Sequence, residues 1–464
     1  MVSKAKLNKF IEEYLEENPF DDMKQAQAAA KLEFSPSIER KIEGRRDEMG
    51  RMYPNDIGKE ILKQHKVVRD KNSICYEYNY RFWEELTLGV MQRYALLADD
   101  DWCSTSARRT ETISYVTATA QLVGDICWGA IADNEVALWS GVFNFDKNTQ
   151  RPHSADDWLE TVIPWTWISD AQCPEWNSAM ERWFKNDDQW AEKMSALQEF
   201  FGYCLLNHAK FKKALLLYGE PNTGKSVVMM VLTELVGKNN TCSISVEDMD
   251  DMRAVAPIRG KLLNVMSDLT SRSLIADGGF KRLVSTGDAI QIDAKWQRPE
   301  LYIPTAKHAV ATNILPKVDD KTWGTFERLL VIRFPNIIPK AEMDRELTQR
   351  LVDEMPGILK WAVDGARRLA RNKGQFTIVP ESELILSEYR EEQNPVFAFV
   401  EEVLVEGTGV EFTEFFTKFR EWYGKPVPRA TLSRWVSAAG MTLTRRRAMN
   451  GSQKKYVDGY VLPY

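Results

Sequence analysis

An eight-residue motif, GEPNTGKS at Gly219–Ser226, constrains the fold of this chain more than any other feature of the sequence. It matches the pattern G-x-x-x-x-G-K-[ST] at every fixed position. An apolar segment, Ala214–Tyr218, leads into the motif, and a helical pattern starts at Val227. A strand, a glycine-rich loop and a helix in this order predict a phosphate-binding loop at the edge of a parallel sheet, and therefore an α/β fold.

The residue types in the motif explain how such a loop binds a nucleotide. Gly219 and Gly224 permit the tight backbone path that points N–H groups at phosphate oxygens, and the start of the next helix adds partial positive charge. Lys225 is expected to reach the β- and γ-phosphates, and the Ser226 hydroxyl to ligate Mg²⁺. The predicted nucleotide-binding residues are Gly219, Glu220, Pro221, Asn222, Thr223, Gly224, Lys225 and Ser226.

Three further apolar segments predict strands beside the one that precedes the motif: KLLNVM (261–266), HAVAT (308–312) and LLVIRF (329–334). The first of them leads to Asp268. Ligands of parallel α/β sheets bind at the carboxyl ends of the strands, where this carboxylate would lie. We therefore expect Asp268 to be the acid that positions Mg²⁺ and the attacking water.

Composition narrows the class of protein. The chain has 464 residues, 44% of them apolar and 28% charged, which is typical of globular domains. No run of about 18 uncharged apolar residues occurs, so the sequence predicts no transmembrane helix, no membrane partner and a location in the cytoplasm of the host cell. Six scattered cysteines and four scattered histidines indicate neither a zinc ribbon, a disulfide scaffold nor a serine-hydrolase triad.

The C-terminal segment is basic although the whole chain has a net charge of −6. Residues 411–464 contain ten Lys or Arg and four Asp or Glu, a balance of +6. Two helical patterns and two strands around Asn450-Gly451 follow one another there, which predicts a winged helix. Its expected DNA-binding residues are Arg429, Arg434, Arg445, Arg446, Arg447, Lys454 and Lys455. A solvated basic surface or a protein-docking module is the alternative.

Changes in composition and in the pattern of apolar residues along the sequence divide the chain into four predicted domains. Residues 1–70 are expected to form an N-terminal helical arm, and the tryptophan-rich residues 71–195 a domain associated with the nucleotide-binding part. Residues 196–375 alternate strand and helix patterns and form the predicted nucleotide-binding domain. Residues 383–464 form the predicted winged helix.

Five segments occur in an order and spacing that resemble a superfamily 3 helicase: GEPNTGKS, KLLNVMSD, GGFKRLVSTGDAIQIDAKW, AVATNILP and ERLLVIRF. More narrowly, the chain is similar to the helicase portion of the poxvirus-type primase-helicases of phages, plasmids and large DNA viruses. The resemblance covers roughly residues 120–464. It implies an AAA+ motor with a parallel sheet, preceded by a helical domain, that uses ATP and Mg²⁺ and assembles as a ring, expected to be a hexamer.

The resemblance also implies roles for single residues. Lys281 matches a motif that leads into a β-hairpin facing the ring channel, and Lys295 and Trp296 match the basic and aromatic hairpin tip that contacts single-stranded DNA. Asn313 matches the polar sensor of the γ-phosphate.

Arg328 occupies the place of an arginine finger, the arginine that reaches the ATP of a neighbouring subunit. Glu327 stands where many relatives have a second arginine, so Arg333 remains an alternative finger. Ser267 stands where a second acid is common, which leaves open whether Asp268 both holds Mg²⁺ and orients the nucleophile. The predicted catalytic residues are Lys225, Asp268, Asn313 and Arg328, and the predicted metal ligands are Ser226 and Asp268.

These observations predict an ATP-dependent DNA helicase that translocates on single-stranded DNA during the replication of a phage, plasmid or mobile element. Its expected partners are single-stranded and duplex DNA, other copies of itself, and a primase or polymerase. Three alternatives remain: an origin-binding initiator that ATP regulates without strong unwinding, the helicase portion of a larger primase-polymerase, and an RNA-virus helicase of the same superfamily, which the C-terminal segment fits less well. Residues 1–200 contain no strand with the paired acids of a polymerase, which argues against primer synthesis by this chain.

Overall fold

The computed structural model describes residues 53–99, 102–124, 126–267, 274–275, 277–284, 288–294, 299–318, 323–447 and 453–463. The chain divides into two compact units, with the division between Thr166 and Trp167. Within the described ranges, no helix is long and apolar enough to cross a membrane.

The first unit mixes helices with short strands. Its helices are α1 (Pro54–Gln64), α2 (Leu88–Ala98) and α3 (Ser106–Thr119). Its strands are β1 (Val67–Arg69), β2 (Cys75–Tyr78), β3 (Trp83–Glu85), β4 (Gln121–Leu122), β5 (Glu135–Leu138), β6 (Gly141–Asn144) and β7 (Thr149–Arg151). They form a sheet in the order β3-β2-β1-β4 and an antiparallel sheet in the order β5-β6-β7. The prediction of a helical domain before the motor is therefore wrong for these residues, because strands of two to four residues are too short to show an alternating pattern.

The helix α1 belongs to the core of this unit. Ile57 and Ile61 are buried in one apolar cluster with Val67, Cys75 and Tyr94. The predicted boundary at residue 70 therefore falls inside the unit. The part of the predicted helical arm before residue 53 lies outside the described residues.

The second unit contains the remaining elements. Its helices are α4 (Pro174–Trp183), α5 (Trp190–Cys204), α6 (Lys225–Val236), α7 (Asp277–Val284), α8 (Trp323–Phe326), α9 (Leu347–Asp353), α10 (Met355–Arg371), α11 (Pro380–Gln393), α12 (Val396–Val403), α13 (Phe412–Tyr423) and α14 (Arg429–Ala438). Its strands are β8 (Ala214–Tyr218), β9 (Thr241–Cys242), β10 (Leu263–Ser267), β11 (Leu274–Ile275), β12 (Ile290–Ile292), β13 (Glu300–Tyr302), β14 (Lys307–Thr312), β15 (Lys317–Val318), β16 (Leu329–Arg333), β17 (Val405–Glu406), β18 (Val410–Glu411), β19 (Leu443–Arg447), β20 (Gln453–Val457) and β21 (Tyr460–Val461).

A five-stranded parallel sheet forms the centre of this unit, in the order β16-β8-β14-β10-β9. The four strands that the sequence predicts in this region are confirmed, and the helix predicted after the motif is α6. β8 and β16 are apolar and almost completely buried, as expected for strands with both faces covered. The protein is therefore a mixed α/β fold built on a parallel sheet.

Helix α5 packs on α10 and joins residues before 196 to this unit. Phe201 and Trp361 meet edge to face, with ring centroids 5.4 Å apart. The fully buried Glu199 carboxylate accepts hydrogen bonds from the Arg368 guanidinium at 2.7 Å and from the Thr377 amide at 2.7 Å. The predicted boundary between residues 195 and 196 therefore falls within a helix of this unit, Trp190–Cys204.

The C-terminal elements have an apolar core of their own. Helices α12, α13 and α14 pack around Phe399, Phe415, Phe419, Leu432 and Val436. β19 and β20 are antiparallel, and β20 also pairs with β18. The predicted succession of two helices and a hairpin is confirmed, whereas the Asn450-Gly451 turn lies outside the described residues.

Candidate functional site

The segment Gly219–Ser226, called the glycine loop below, connects β8 to α6. Gly219 and Gly224 have φ angles of +148° and +100°, a region that side chains rarely tolerate. A Cβ atom at Gly219 would lie 2.5 Å from the Phe334 carbonyl oxygen, and one at Gly224 would lie 2.6 Å from the indole of Trp183. Both glycines are therefore required by the backbone path and by the close approach of their neighbours.

Lys225, the first residue of α6, points back into the glycine loop. Its ammonium group donates hydrogen bonds to the carbonyl oxygens of Gly219 at 2.8 Å and Glu220 at 2.7 Å, and to the Thr223 hydroxyl at 3.2 Å. Burial lowers the pKa of Lys225, and the nearby Glu220 carboxylate opposes this shift. The loop thus encloses one cation, only 6% exposed, at the start of a helix.

Residues distant in sequence hold the glycine loop in place. The Ile338 amide donates to the Asn222 carbonyl oxygen at 2.8 Å, and the Phe334 amide donates to the Tyr218 carbonyl oxygen at 2.8 Å. The Trp183 indole is fully buried against Gly224, and its Nε1 finds no hydrogen-bond partner within the described ranges. Trp183 is not recognisable in the sequence as a neighbour of Gly224, because no local pattern relates α4 to a residue 41 positions later.

The strand register brings several predicted site residues to one edge of the central sheet. Tyr218, the residue before the loop, lies opposite Thr312, and Asn313 follows Thr312. Ser267 at the end of β10 lies opposite Ala311. The side chains of Ser226 and Asn313 are exposed at this edge. Asp268, the predicted acid after β10, lies outside the described residues.

The two candidate arginine fingers lie at opposite ends of the same strand, β16. Arg333 at the end of β16 lies opposite Tyr218, and its guanidinium forms an ion pair with Glu381 at 2.7 Å. Arg328 precedes β16, and its carbonyl oxygen accepts from the amide of Ala214, the first residue of β8. With about 3.3 Å per residue, the length of β8 separates Arg328 from the glycine loop of its own chain by on the order of 13 Å.

Lys281 lies beside Arg328. A Cβ atom at Gly324 in α8 would be 3.1 Å from the Lys281 ammonium nitrogen and 3.4 Å from Nη1 of Arg328. The Arg328 guanidinium donates to the Gly324 carbonyl oxygen, while its buried Nε finds no partner among the residues described. β12 and β13 form an antiparallel hairpin after α7. Its tip, with Lys295 and Trp296, lies outside the described residues.

The basic residues of the β19–β20 hairpin fall on two faces. Arg446 forms an ion pair with Asp458, and Lys454 forms one with Glu411 at 2.7 Å. On the other face, Lys455 lies opposite Arg445 and donates to the Ser433 hydroxyl of α14 at 2.6 Å.

Arg445 and Arg447 are exposed, and neither has an ion-pair partner in the part of the chain that the structure describes. On α14, Arg429 and Arg434 are exposed as well, and the Arg429 guanidinium lies 5.0 Å from the centre of the Phe416 ring. Of the seven predicted basic residues, Arg446 and Lys454 are therefore paired with acids. The other five are Arg429 and Arg434 on α14, and Arg445, Arg447 and Lys455 on the hairpin face from which Lys455 reaches α14.

Within the described ranges, no group of three or more His, Cys, Asp or Glu side chains is arranged to hold a metal ion. All six cysteines are free thiols, and five of them, all except Cys127, are buried.

Two kinds of comparison relate the chain to known proteins. Residues 217–328 match a family described as a family of unknown function (DUF5906), and this range runs from the end of β8 to Arg328. An apo structure of the NrS-1 C-terminal region, described as its A form, aligns with a TM-score of 0.52 at 13% identity. An apo structure of residues 305–718 of the same region aligns with a TM-score of 0.54 at 12% identity. Each match covers 88% of this chain and 99% of the other, so the chain is similar in fold to the NrS-1 C-terminal region.

Proposed function

We propose that this chain is an ATP-dependent, ring-forming DNA helicase of the superfamily 3 type, which translocates on single-stranded DNA in the replication of a phage, plasmid or mobile element in the host cytoplasm. One observation carries the proposal. The Lys225 ammonium is enclosed by the glycine loop at the carboxyl edge of a parallel sheet, at the start of a helix. This arrangement matches the chemistry of a triphosphate, which requires a fixed cation and convergent N–H groups.

The proposed ATP site combines residues from three neighbouring strands. The phosphates would lie on the glycine loop, with the Lys225 hydrogen bonds passing from loop oxygens to phosphate oxygens. Asn313 follows β14 at the same edge and would orient the γ-phosphate or its attacking water. Ser226 and Asp268 would hold Mg²⁺, which supplies charge neutralisation at the phosphates when bound.

The position of Arg328 supports assembly into a ring. Arg328 lies at the end of β8 that is farthest from the glycine loop, which supports a role at the ATP of a neighbouring subunit. In a head-to-tail ring, that edge of one subunit can face the glycine loop of the next. We propose Arg328 as the arginine finger in a hexameric AAA+ ring, while Arg333 stays beside the loop of its own chain.

The proposed DNA contacts fall into two groups. Lys281, Lys295 and Trp296 would serve the channel, with the tip of the β12–β13 hairpin gripping one strand. The C-terminal elements would form a winged helix that binds duplex DNA through α14 and the exposed face of the β19–β20 hairpin. The five basic residues on or beside that face support this assignment, since phosphate contacts dominate affinity for duplex DNA.

A forked-duplex displacement assay with the full chain, ATP and Mg²⁺ tests the proposal. We expect wild type to displace the strand, and Lys225→Ala to abolish both displacement and ATP hydrolysis. Lys238→Ala is the matched control, because Lys238 lies just beyond the other end of α6 and is exposed with Glu234 as its partner. Asp268→Asn is expected to lower turnover by at least about 10²-fold while ATP still binds. Lys225→Ala hydrolysis within about threefold of wild type would overturn the nucleotide site.

The same assay separates the second candidate function, an ATP-regulated origin-binding initiator. The basic face of the C-terminal elements favours this candidate, because it provides duplex binding without the motor. Duplex binding and ATP hydrolysis without strand displacement would select it. The similar NrS-1 structure is a C-terminal region that begins at residue 305, which also fits a helicase portion of a larger protein that acts with a primase or polymerase.

A further inference from the structure

Trp183, the last residue of α4, lies directly against the end of the glycine loop. Its side chain is fully buried, and three atoms of the indole would lie 2.6 to 2.8 Å from a Cβ atom at Gly224. Gly224 is the residue immediately before Lys225, where α6 begins. A shift of this indole would therefore move the backbone that carries the enclosed ammonium group.

Phe334, the residue after β16, supports the other end of the glycine loop. A Cβ atom at Gly219 would lie 2.5 Å from the Phe334 carbonyl oxygen and 3.5 Å from the Phe334 Cβ atom. The Phe334 ring also packs on the Trp183 ring, with centroids 6.2 Å apart, which is within the range of aromatic pairs. The two buried aromatic residues therefore contact each other, and each of them contacts one glycine of the loop.

Hydrogen bonds fix α4 at both of its ends. The Glu354 carboxylate accepts from the Trp176 amide at 3.0 Å in the first turn of the helix. At the other end, the Asn336 side-chain amide donates to the carbonyl oxygens of Trp183 at 3.1 Å and Lys185 at 2.8 Å. These contacts satisfy backbone groups that a helix leaves unpaired at its ends, so the position of the Trp183 indole is well defined.

The glycine loop needs such support from outside. Glycine has more backbone freedom than any other residue, and Glu220, Pro221 and Asn222 between the two glycines are exposed. A loop that is free to move must lose this freedom when it binds a ligand, which weakens binding. Contacts that already fix the empty loop remove this cost.

We propose that Trp183 is a positioning residue of the nucleotide site, which holds the glycine loop in the conformation that receives a polyphosphate before the nucleotide arrives. This inference rests on the proposed function, since it requires phosphates on the loop. Trp183 lies before residue 196, where the sequence places the start of the nucleotide-binding domain. The tryptophan-rich segment that precedes the motor therefore contributes to the nucleotide site through α4.

Calorimetric titration of full-chain variants with ATP and with inorganic tripolyphosphate tests the proposal. Trp183→Phe keeps an aromatic ring but removes part of the surface against Gly224, and it is expected to weaken both ligands about tenfold, because the loop loses its preorganisation. Trp176→Phe is the matched control. Trp176 is also a fully buried tryptophan of α4, and it packs on Phe201 and Trp361. It should leave both affinities within about twofold of wild type.

Steady-state ATP hydrolysis gives a second readout, which a general loss of core packing would not produce. Trp183→Phe should raise KM for ATP about tenfold and keep kcat within about threefold, because the supported loop serves the bound substrate and the transition state equally. Trp176→Phe should change neither constant. Urea unfolding of both variants establishes the conditions under which each is fully folded.

A variant outside the core guards against misfolding of the tryptophan variants. Asn336 is half-buried, and Asn336→Ala releases the end of α4 without opening a cavity beside the loop. It is expected to weaken ATP and tripolyphosphate about threefold, since the indole is then less well fixed. Wild-type affinities in both Trp183→Phe and Asn336→Ala would overturn the proposal.

The remaining outcomes separate this inference from the proposed function. Equal weakening by Trp183→Phe and Trp176→Phe, or weakening of ATP without tripolyphosphate, shows that Trp183 does not act through the phosphate loop. In either case the nucleotide site stands if Lys225→Ala weakens both ligands. If wild type binds neither ATP nor tripolyphosphate, the nucleotide site fails and the role of Trp183 fails with it.

Discussion

The carbonyl oxygen of Arg328 accepts a hydrogen bond from the Ala214 amide at 2.7 Å, which fixes Arg328 at the end of β8 that is farthest from the glycine loop. Arg333, five residues later, lies at the other end of the same pair of strands, opposite Tyr218. The two arginines between which the sequence could not decide thus differ in their reach. Arg333 lies near the glycine loop of its own chain, and Arg328 lies about one strand length away from it.

We therefore predict that Arg328 acts across a subunit interface. Arg328→Ala should lower ATP turnover by about 10³-fold in assembled rings, because the transition-state charge loses a cation. Mixed in equal amounts with Lys225→Ala subunits, it should regain about a quarter of the wild-type rate, since each interface of a head-to-tail ring needs one intact loop and one intact finger. The control mixture pairs Arg333→Ala with Lys225→Ala. Recovery in that mixture, with none for Arg328→Ala, would assign the finger to Arg333.

The second prediction concerns the close packing of the glycine loop. Gly224→Ala should abolish measurable ATP binding, because the new methyl group meets the Trp183 indole and the backbone has a positive φ. Gly424→Ala is the matched control: Gly424 also has a positive φ, of +67°, but nothing lies within 4 Å of its Cβ position. The control should lose about 1 kcal/mol of stability and keep its ATP affinity. Calorimetry and thermal unfolding measure the two effects, and normal ATP binding by Gly224→Ala would contradict the prediction.

The two faces of the β19–β20 hairpin lead to the third prediction. Arg445→Ala should weaken duplex binding and reduce the slope of log K against log salt by about one, because one phosphate contact is lost. Arg446→Ala should keep the slope, since Arg446 is already neutralised by Asp458, and should lower the free energy of unfolding by less than about 1 kcal/mol. Fluorescence anisotropy across a potassium chloride series compares the two variants. Equal slopes for both would show that this face of the hairpin does not contact the duplex.

The fourth prediction is a dependence of stability on pH. His308 in β14 is fully buried, and burial lowers its pKa to about 4 from an ordinary value of 6.5. The folded state therefore holds the neutral imidazole, so the stability it contributes is present above pH 6.5 and is lost as the pH falls toward 4. The loss should reach at most about 1.4 kcal/mol per pH unit in this window.

Urea unfolding at several pH values measures this loss against a His308→Asn variant. The variant should show a smaller decrease between pH 6.5 and 4, because it has no proton to take up there. The acidic groups of the chain are common to both proteins and cancel in the comparison. Parallel curves for the two proteins would contradict the prediction.

The parts of the site that were predictable are local in sequence. Strand β8, the glycine loop and α6 are contiguous, so the motif and its flanking patterns contain all the necessary signals. The central strands were recognisable because buried parallel strands are continuous apolar runs. Asn313 and Arg328 were predicted from the order of the motifs that the chain shares with superfamily 3 helicases. The strand register then places them at opposite ends of the parallel strands.

The parts that were not predictable depend on contacts between distant residues. Trp183 and Glu381 contribute to the site region from helices about 40 residues before and 160 residues after the loop, and no periodicity relates them to it. The ion pairs of Arg446 with Asp458 and of Lys454 with Glu411 likewise decide which basic residues are available. Short strands such as β1 and β3 could not be predicted, because three residues are too few to show the alternation of apolar and polar residues that is typical of a strand.

The length of β8 has a mechanical consequence. All five of its residues pair with β16 and four of them, Leu215 to Tyr218, also pair with β14, so the strand is a stiff spacer between the glycine loop and Arg328. In the proposed ring, a shift of a few ångströms at one nucleotide would be carried across the sheet as a rigid tilt and would move the arginine that serves the next nucleotide. Hydrolysis at one interface would then be coupled to hydrolysis at the next through the rigid strand inside each subunit. No flexible linker would be needed for this coupling.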